Sequence, residues 1–174
     1  MLSIQKSPLP SGALLSRYAK DGAYTDCYTT EVNGSISNAD YITAFYTTWL
    51  FKLERTILKW VVSKPSTDAQ AREFGKGATD TFAAWRVEAR GDNQILLCDF
   101  HGRTRSWLMV GAAIAGQPAR TRLYFGSAVL LVERGRSGGS SLGPVFHALI
   151  LFHKVYSVLL LYAAKSRLES YREA

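Results

Sequence analysis

The sequence predicts an α+β domain in which a curved antiparallel sheet wraps a long C-terminal helix, with one or two helices between the first and second strands. Three observations carry this. From 79 to 133 apolar positions alternate with a period near two and are punctuated by Gly/Asp/Asn turns; from 37 to 62 they recur with a period near 3.6; from 144 to 167 they cover most of a helix circumference. A chain of 174 residues suits one domain, because at this length roughly 70% of the unfolded surface can be buried. With 47% hydrophobic and 20% charged residues, the composition is that of a folded chain, not a disordered one.

Residues 1–23, with Pro8, Pro10 and Gly12, read as an irregular lead-in to a single domain over 24–170. The Tyr/Thr-rich stretch 24–32 ends at Asn33-Gly34, which is strand composition followed by turn chemistry. Ser37 suits a helix N-cap with Asp40 three residues on, and Ile42, Phe45, Trp49, Leu53 and Trp60 then share a face. That helix is expected to stop near Val62, since Lys64-Pro65 forces the preceding residue out of helical geometry. A second short helix is expected over 66–74, stopped by Gly75 and Gly77.

A four-stranded meander follows, over 83–90, 94–100, 103–114 and 120–133, with turns at Gly91-Asp92-Asn93, Gly102 and Gly116-Gln117-Pro118. Gly126 reads as a bulge or bend, so the count is five strands unless that bend splits the last. Pairing the last two strands about Gly116-Gln117 sets Leu108 beside Phe125 and Val110 beside Leu123, an apolar face for the helices. The opposite face carries Arg105, Trp107, Met109, Arg122, Tyr124 and Leu130, with Gly126 facing Trp107. Exposed, such a mixed face is an interaction surface, most simply a homodimer interface through Trp107, Met109 and Tyr124. After a Gly/Ser loop over 135–143, Pro144 opens the final helix. Its expected apolar stripe is Val145, Leu149, Phe152, Tyr156, Leu159 and Ala163, with His147, Lys154, Lys165 and Arg172 opposite.

Several function classes lose their support. Cys27 and Cys98 lie far apart without C-x-x-C spacing, so neither a metal site nor a disulfide framework is expected. The first twelve residues offer no continuous apolar secretion signal, and a cytoplasmic location is the expectation. The apolar run 148–164 is 17 residues long and holds His153 and Lys154, against a membrane span. The net charge of +7 is spread thinly: 6 basic against 5 acidic over 1–62, 10 against 7 over 63–134, 5 against 2 over 135–174. No basic run tracks phosphates, so no specific nucleic-acid partner is expected. The 135–143 loop lacks the phosphate-cradle pattern, and no cofactor is expected.

The order strand, helix pair, antiparallel meander and long C-terminal helix, with a Ser/Gly-rich loop before that helix, resembles the helix-grip domains of the START-like (SRPBCC) superfamily over 24–167. The resemblance implies an elongated, largely apolar cavity between sheet and final helix, of the kind that holds lipids, sterols or polyketide-like molecules; some such domains catalyse cyclisation or hydrolysis. A plain two-layer α+β sandwich without a cavity is the rival.

Under the cavity reading, Leu108, Val110, Leu123, Phe125, Phe152 and Tyr156 would line the ligand site. Glu54, on the wheel among Leu50, Phe51, Leu58 and Val61, would be its polar anchor. A carboxylate in such a place can serve as acid, base or anchor, or form a structural ion pair. Asp99 and His101 share a strand parity and form a second acid–base candidate, or a turn-stabilising pair. The three functions left open are a carrier of a hydrophobic or amphipathic small molecule, an enzyme of the same fold using Glu54 or Asp99/His101, and a ligand-free homo-oligomer.

Overall fold

The computed structural model describes residues 4–53, 66–114, 119–130 and 144–173, without the side chains of 113–114, 144–152 and 172–173. Seven strands form one open antiparallel sheet: β1 (Gln5–Lys6), β2 (Tyr24–Asn33), β3 (Thr81–Phe82), β4 (Trp85–Gly91), β5 (Gln94–Asp99), β6 (Thr104–Ile114) and β7 (Arg120–Val129). Their order is β1-β2-β7-β6-β5-β4-β3. Successive hairpins build β3 to β7, and the early strand β2 pairs along its whole length with β7.

The expected register of the last pair is observed, with Leu108 opposite Phe125, Val110 opposite Leu123 and Trp107 opposite Gly126. Two strands beyond the expected five come from short segments. β1 forms in the lead-in, and β3 folds back on β4 through Ala83, the one described non-glycine residue with positive φ (53°). Gly126 neither bends nor splits β7. It stays in register between Cys27 and Trp107, where a Cβ would lie 2.9 Å from both the Trp107 ring and Leu15 Cδ2. The glycine is a packing notch, and the β6/β7 register instead shifts between Val110 and Ala113.

Among the described residues four helices accompany the sheet besides a helical turn over 49–53: α1 (Ser16–Lys20), α2 (Asn38–Tyr46), α3 (Asp68–Gly75) and α4 (Pro144–Glu173). Ser37 caps α2 as expected, its hydroxyl accepting from the Asp40 amide at 3.1 Å. The continuous helix to Val62 is corrected at Thr47-Thr48. There the hydroxyls of Thr47 and Thr48 donate to the carbonyls of Thr43 (2.7 Å) and Phe45 (3.0 Å), and Thr48 Oγ1 accepts from the Phe51 amide. β-Branched hydroxyl residues that compete for backbone groups end one helix and cap a new turn over 49–53. The change of phase buries Phe51 and turns Trp49 and Leu53 out to solvent. Glu54 and the expected stop at Val62 lie outside the described residues.

α3 begins at a full capping box between Thr67 and Gln70. α4 runs six residues beyond its expected end at Arg167 and packs against α2, β2 and β7. Its buried line is Ser157, Leu160, Leu161, Ala164 and Leu168, spaced by three and four. Of the predicted stripe, Ala163 is buried, Tyr156 half-buried and Leu159 exposed, and the side chains of Val145, Leu149 and Phe152 lie outside the described residues.

Two cores result, one per sheet face. On the first, Leu108, Val110, Leu123 and Phe125 meet Phe45, Tyr46 and Phe51 together with Leu160 and Leu161 of α4. On the second, Trp107, Met109, Leu96, Cys27 and Ala128 are covered by Ala13 and Leu15, with Leu9, Leu14, Tyr18 and Tyr124 at the margin. Hence Trp107 and Met109 of the mixed face are buried beneath the lead-in, and the expected homodimer surface through Trp107, Met109 and Tyr124 finds no support; Trp107 has no exposure at all. Gln94 pins the cover: its Oε1 accepts from Leu14 N (2.9 Å) and Trp107 Nε1 (2.8 Å), and its Nε2 donates to the Gly12 carbonyl. Glu88 holds the other end, accepting from Tyr18 (2.5 Å), Arg105 (2.6 Å) and Arg17. Among the described residues no helix is long and apolar enough to cross a membrane.

Candidate functional site

Strand alternation places Tyr24, Asp26 and Tyr28 of β2 on the helix-facing side, and direct pairing sets Asp26 beside Ser127 of β7 and Ser127 beside Ser106 of β6. This row of small polar residues leaves the sheet unfilled. Above it α4 supplies His153, Tyr156, Ser157 and Leu160, and between them lies a cavity of about 250 Å³, walled on its apolar side by Phe45, Phe51 and Phe125.

Behind this wall, in contact with Ser127, lies Asp26, its side chain only 1% exposed. Ser127 donates its hydroxyl proton to Asp26 Oδ1, and Ser127 Oγ lies 2.6 Å from His153 Nε2. The imidazole is 3.8 Å from Asp26 Oδ2, and the Tyr24 hydroxyl donates to that oxygen at 3.5 Å. Buried charge persists when donors of this kind surround it. Burial and then the Asp26 charge push the hydroxyl of Tyr24 up to about 12, do the same to the Cys27 thiol, and raise Tyr28.

This arrangement is not a nucleophilic triad. In a triad the carboxylate orients the second imidazole nitrogen and the imidazole faces the serine proton; here the serine proton faces the carboxylate. The cluster holds an imidazole in place at the cavity wall.

Two further polar groups lie along the cavity. Ser157 follows His153 by one helical turn and is 1% exposed, and its Oγ has no hydrogen-bond partner among the described residues. Trp85 Nε1 is likewise buried and unpartnered. A second, more polar groove of about 580 Å³ runs past Gln70, Glu73, Thr81 and Arg86 and shares Ala84, Trp85 and Phe100 with the cavity. The smaller space is the candidate site, since among the described residues the half-buried His153 imidazole and the buried Ser127 and Ser157 hydroxyls converge on it, with the Asp26 carboxylate behind Ser127.

Of the predicted lining residues, Phe125 and Tyr156 border the cavity. Leu108, Val110 and Leu123 are packed into the core and do not reach it. Glu54 and the side chain of Phe152 lie outside the described residues. Asp99 touches the cavity, but its Oδ1 accepts from the amides of Arg103 (2.7 Å) and Thr104 (2.9 Å), a turn-stabilising role. His101 is exposed with its ring against Phe100, and no hydrogen bond joins it to Asp99, so the acid–base pair is corrected to a turn. Asp26, Ser127, His153 and Ser157 escaped the sequence reading. The available signals were a carboxylate at the inward parity of a Tyr/Thr strand and a histidine four residues before a serine in an apolar helix.

Among the described residues no group of three His, Cys, Asp or Glu side chains is placed to hold a metal. Compared with known proteins, the chain matches no protein-family model and no curated protein sequence.

Proposed function

We propose that the domain binds a compact hydrophobic or amphipathic small molecule in the cavity between the inner sheet face and α4. The observation that carries this is the unpartnered, fully buried Ser157 hydroxyl beside a space that aromatic and aliphatic side chains wall on one side. Leaving such a group unsatisfied costs about 1–3 kcal/mol, a cost that a bound polar atom offsets. The order of elements, which resembles the START-like domains, supports the same reading.

Volume limits the ligand. Drug-sized sites span about 300–1,000 Å³, whereas an apolar cavity of about 150 Å³ takes benzene. At about 250 Å³ the space suits one or two rings or a short chain, and a sterol is too large for it. An enzymatic use of Asp99 and His101 loses its basis, because the two do not converge.

Native mass spectrometry of the intact chain with 2-naphthol tests the proposal. A one-to-one adduct is expected for the native protein and not for Ser157→Phe, in which the added ring fills the cavity, while the thermal midpoint of the variant stays equal or rises. Absence of an adduct with the native protein, or equal adducts with both, contradicts the proposal.

A further inference from the structure

A carboxylate can only accept hydrogen bonds, so the proton of Ser127 is committed to Asp26 Oδ1. The Ser127 oxygen then has lone pairs left for its other neighbour, and His153 Nε2 at 2.6 Å must be the donor. Fixing the proton on Nε2 fixes the other nitrogen as well: in the neutral ring Nδ1 is a bare acceptor. Among the described residues nothing donates to it, and the ring borders the cavity with a quarter of its side chain exposed. One turn on, Ser157 Oγ offers a second, flexible polar contact on the same helix face.

We propose that His153 is the polar anchor of this cavity, an imidazole held as the Nε2–H tautomer by Ser127 and Asp26 and presenting Nδ1 to a hydroxyl group of the ligand. This rests on the cavity being a binding site, and it narrows the ligand class to compact ring compounds carrying a hydroxyl donor, such as phenols. Ser127 and Asp26 are positioning residues in this scheme. Their buried contact keeps the imidazole in one tautomer and one orientation, the condition under which a single ring nitrogen discriminates between donor and non-donor ligands.

The test compares 2-naphthol with 2-methylnaphthalene, which replaces the hydroxyl by a methyl group of similar size. Transfer from water alone favours the methyl compound. The anchor predicts the reverse, about tenfold tighter binding of 2-naphthol to the native protein, and a return to preference for 2-methylnaphthalene in His153→Phe. Nitrogen-15 NMR of the native protein reads the tautomer without any ligand or variant: the His153 ring is expected as Nε2–H, and Ser127→Ala is expected to spread it over both tautomers. An Nδ1–H ring in the native protein overturns the proposal. So does binding of both compounds with no preference for the hydroxyl, which leaves the cavity as a binding site but removes the anchor. If neither compound binds, the cavity reading fails and the anchor fails with it.

Discussion

Asp26 sets the chemistry of its strand. Burial, and then the Asp26 charge beside them, raises the Cys27 thiol and the Tyr24 hydroxyl to about 12, from 9.0 and 10.0. A folded-state value above the unfolded one means that the native protein keeps protons the unfolded chain gives up. The associated stability is complete below pH 9 and lost as the pH rises toward 12. Urea midpoints measured across this window are expected to fall steadily. Cys27→Ser is expected to fall less between 9 and 10, where the thiol is the group of the two that titrates in the unfolded chain; parallel curves would contradict the assignment. At this scale the sequence was least legible. Asp26 reads as an ordinary polar residue in a Tyr/Thr strand until β7 sets Ser127 beside it and α4 brings His153 across, and the residues of that contact are separated by 101 and 26 positions.

Elements were more legible where local chemistry decides them. Ser37 and Thr67 cap helices at or beside the expected starts, and the β6/β7 register follows from the apolar parity of Leu108, Val110, Leu123 and Phe125. Phase was legible only in part. The Thr47-Thr48 break depends on side-chain hydroxyls choosing backbone partners, and α4 turns Ser157 inward while Leu159 faces out, because the cavity and the polar row of the sheet accept the serine face. The crossing of α2 and α3 depends on Gly75, where a Cβ would stand 2.8 Å from the Ala39 carbonyl and closer still to Thr43 Oγ1. Since backbone must move to admit it, Gly75→Ala is expected to destabilise the protein by about 1–3 kcal/mol in urea titration, despite the higher helix propensity of alanine. A neutral or stabilising result would show that the helices separate at little cost.

For the molecule as a whole, the two sheet faces have different tasks. The lead-in closes one face with Leu15 and the Gln94 and Glu88 contacts, leaving Trp107 fully buried, and so converts an expected interaction surface into a second core. The other face is filled by α2, α3 and Leu160, Leu161, Ala164 and Leu168 of α4, except where Ser106 and Ser127 meet His153 and Ser157. Fold class followed from periodicity and turn chemistry, because those signals are local. Whether the space under the final helix is full or hollow depends on how Phe125, Leu160 and Trp85 meet, which composition does not encode. A crystal of the intact protein soaked in 2-naphthol examines that space directly. Ring density enclosed by Phe125, Leu160 and Trp85, with its hydroxyl within hydrogen-bond distance of His153 Nδ1, is the predicted result; side chains closed over the space with no density inside would contradict the account.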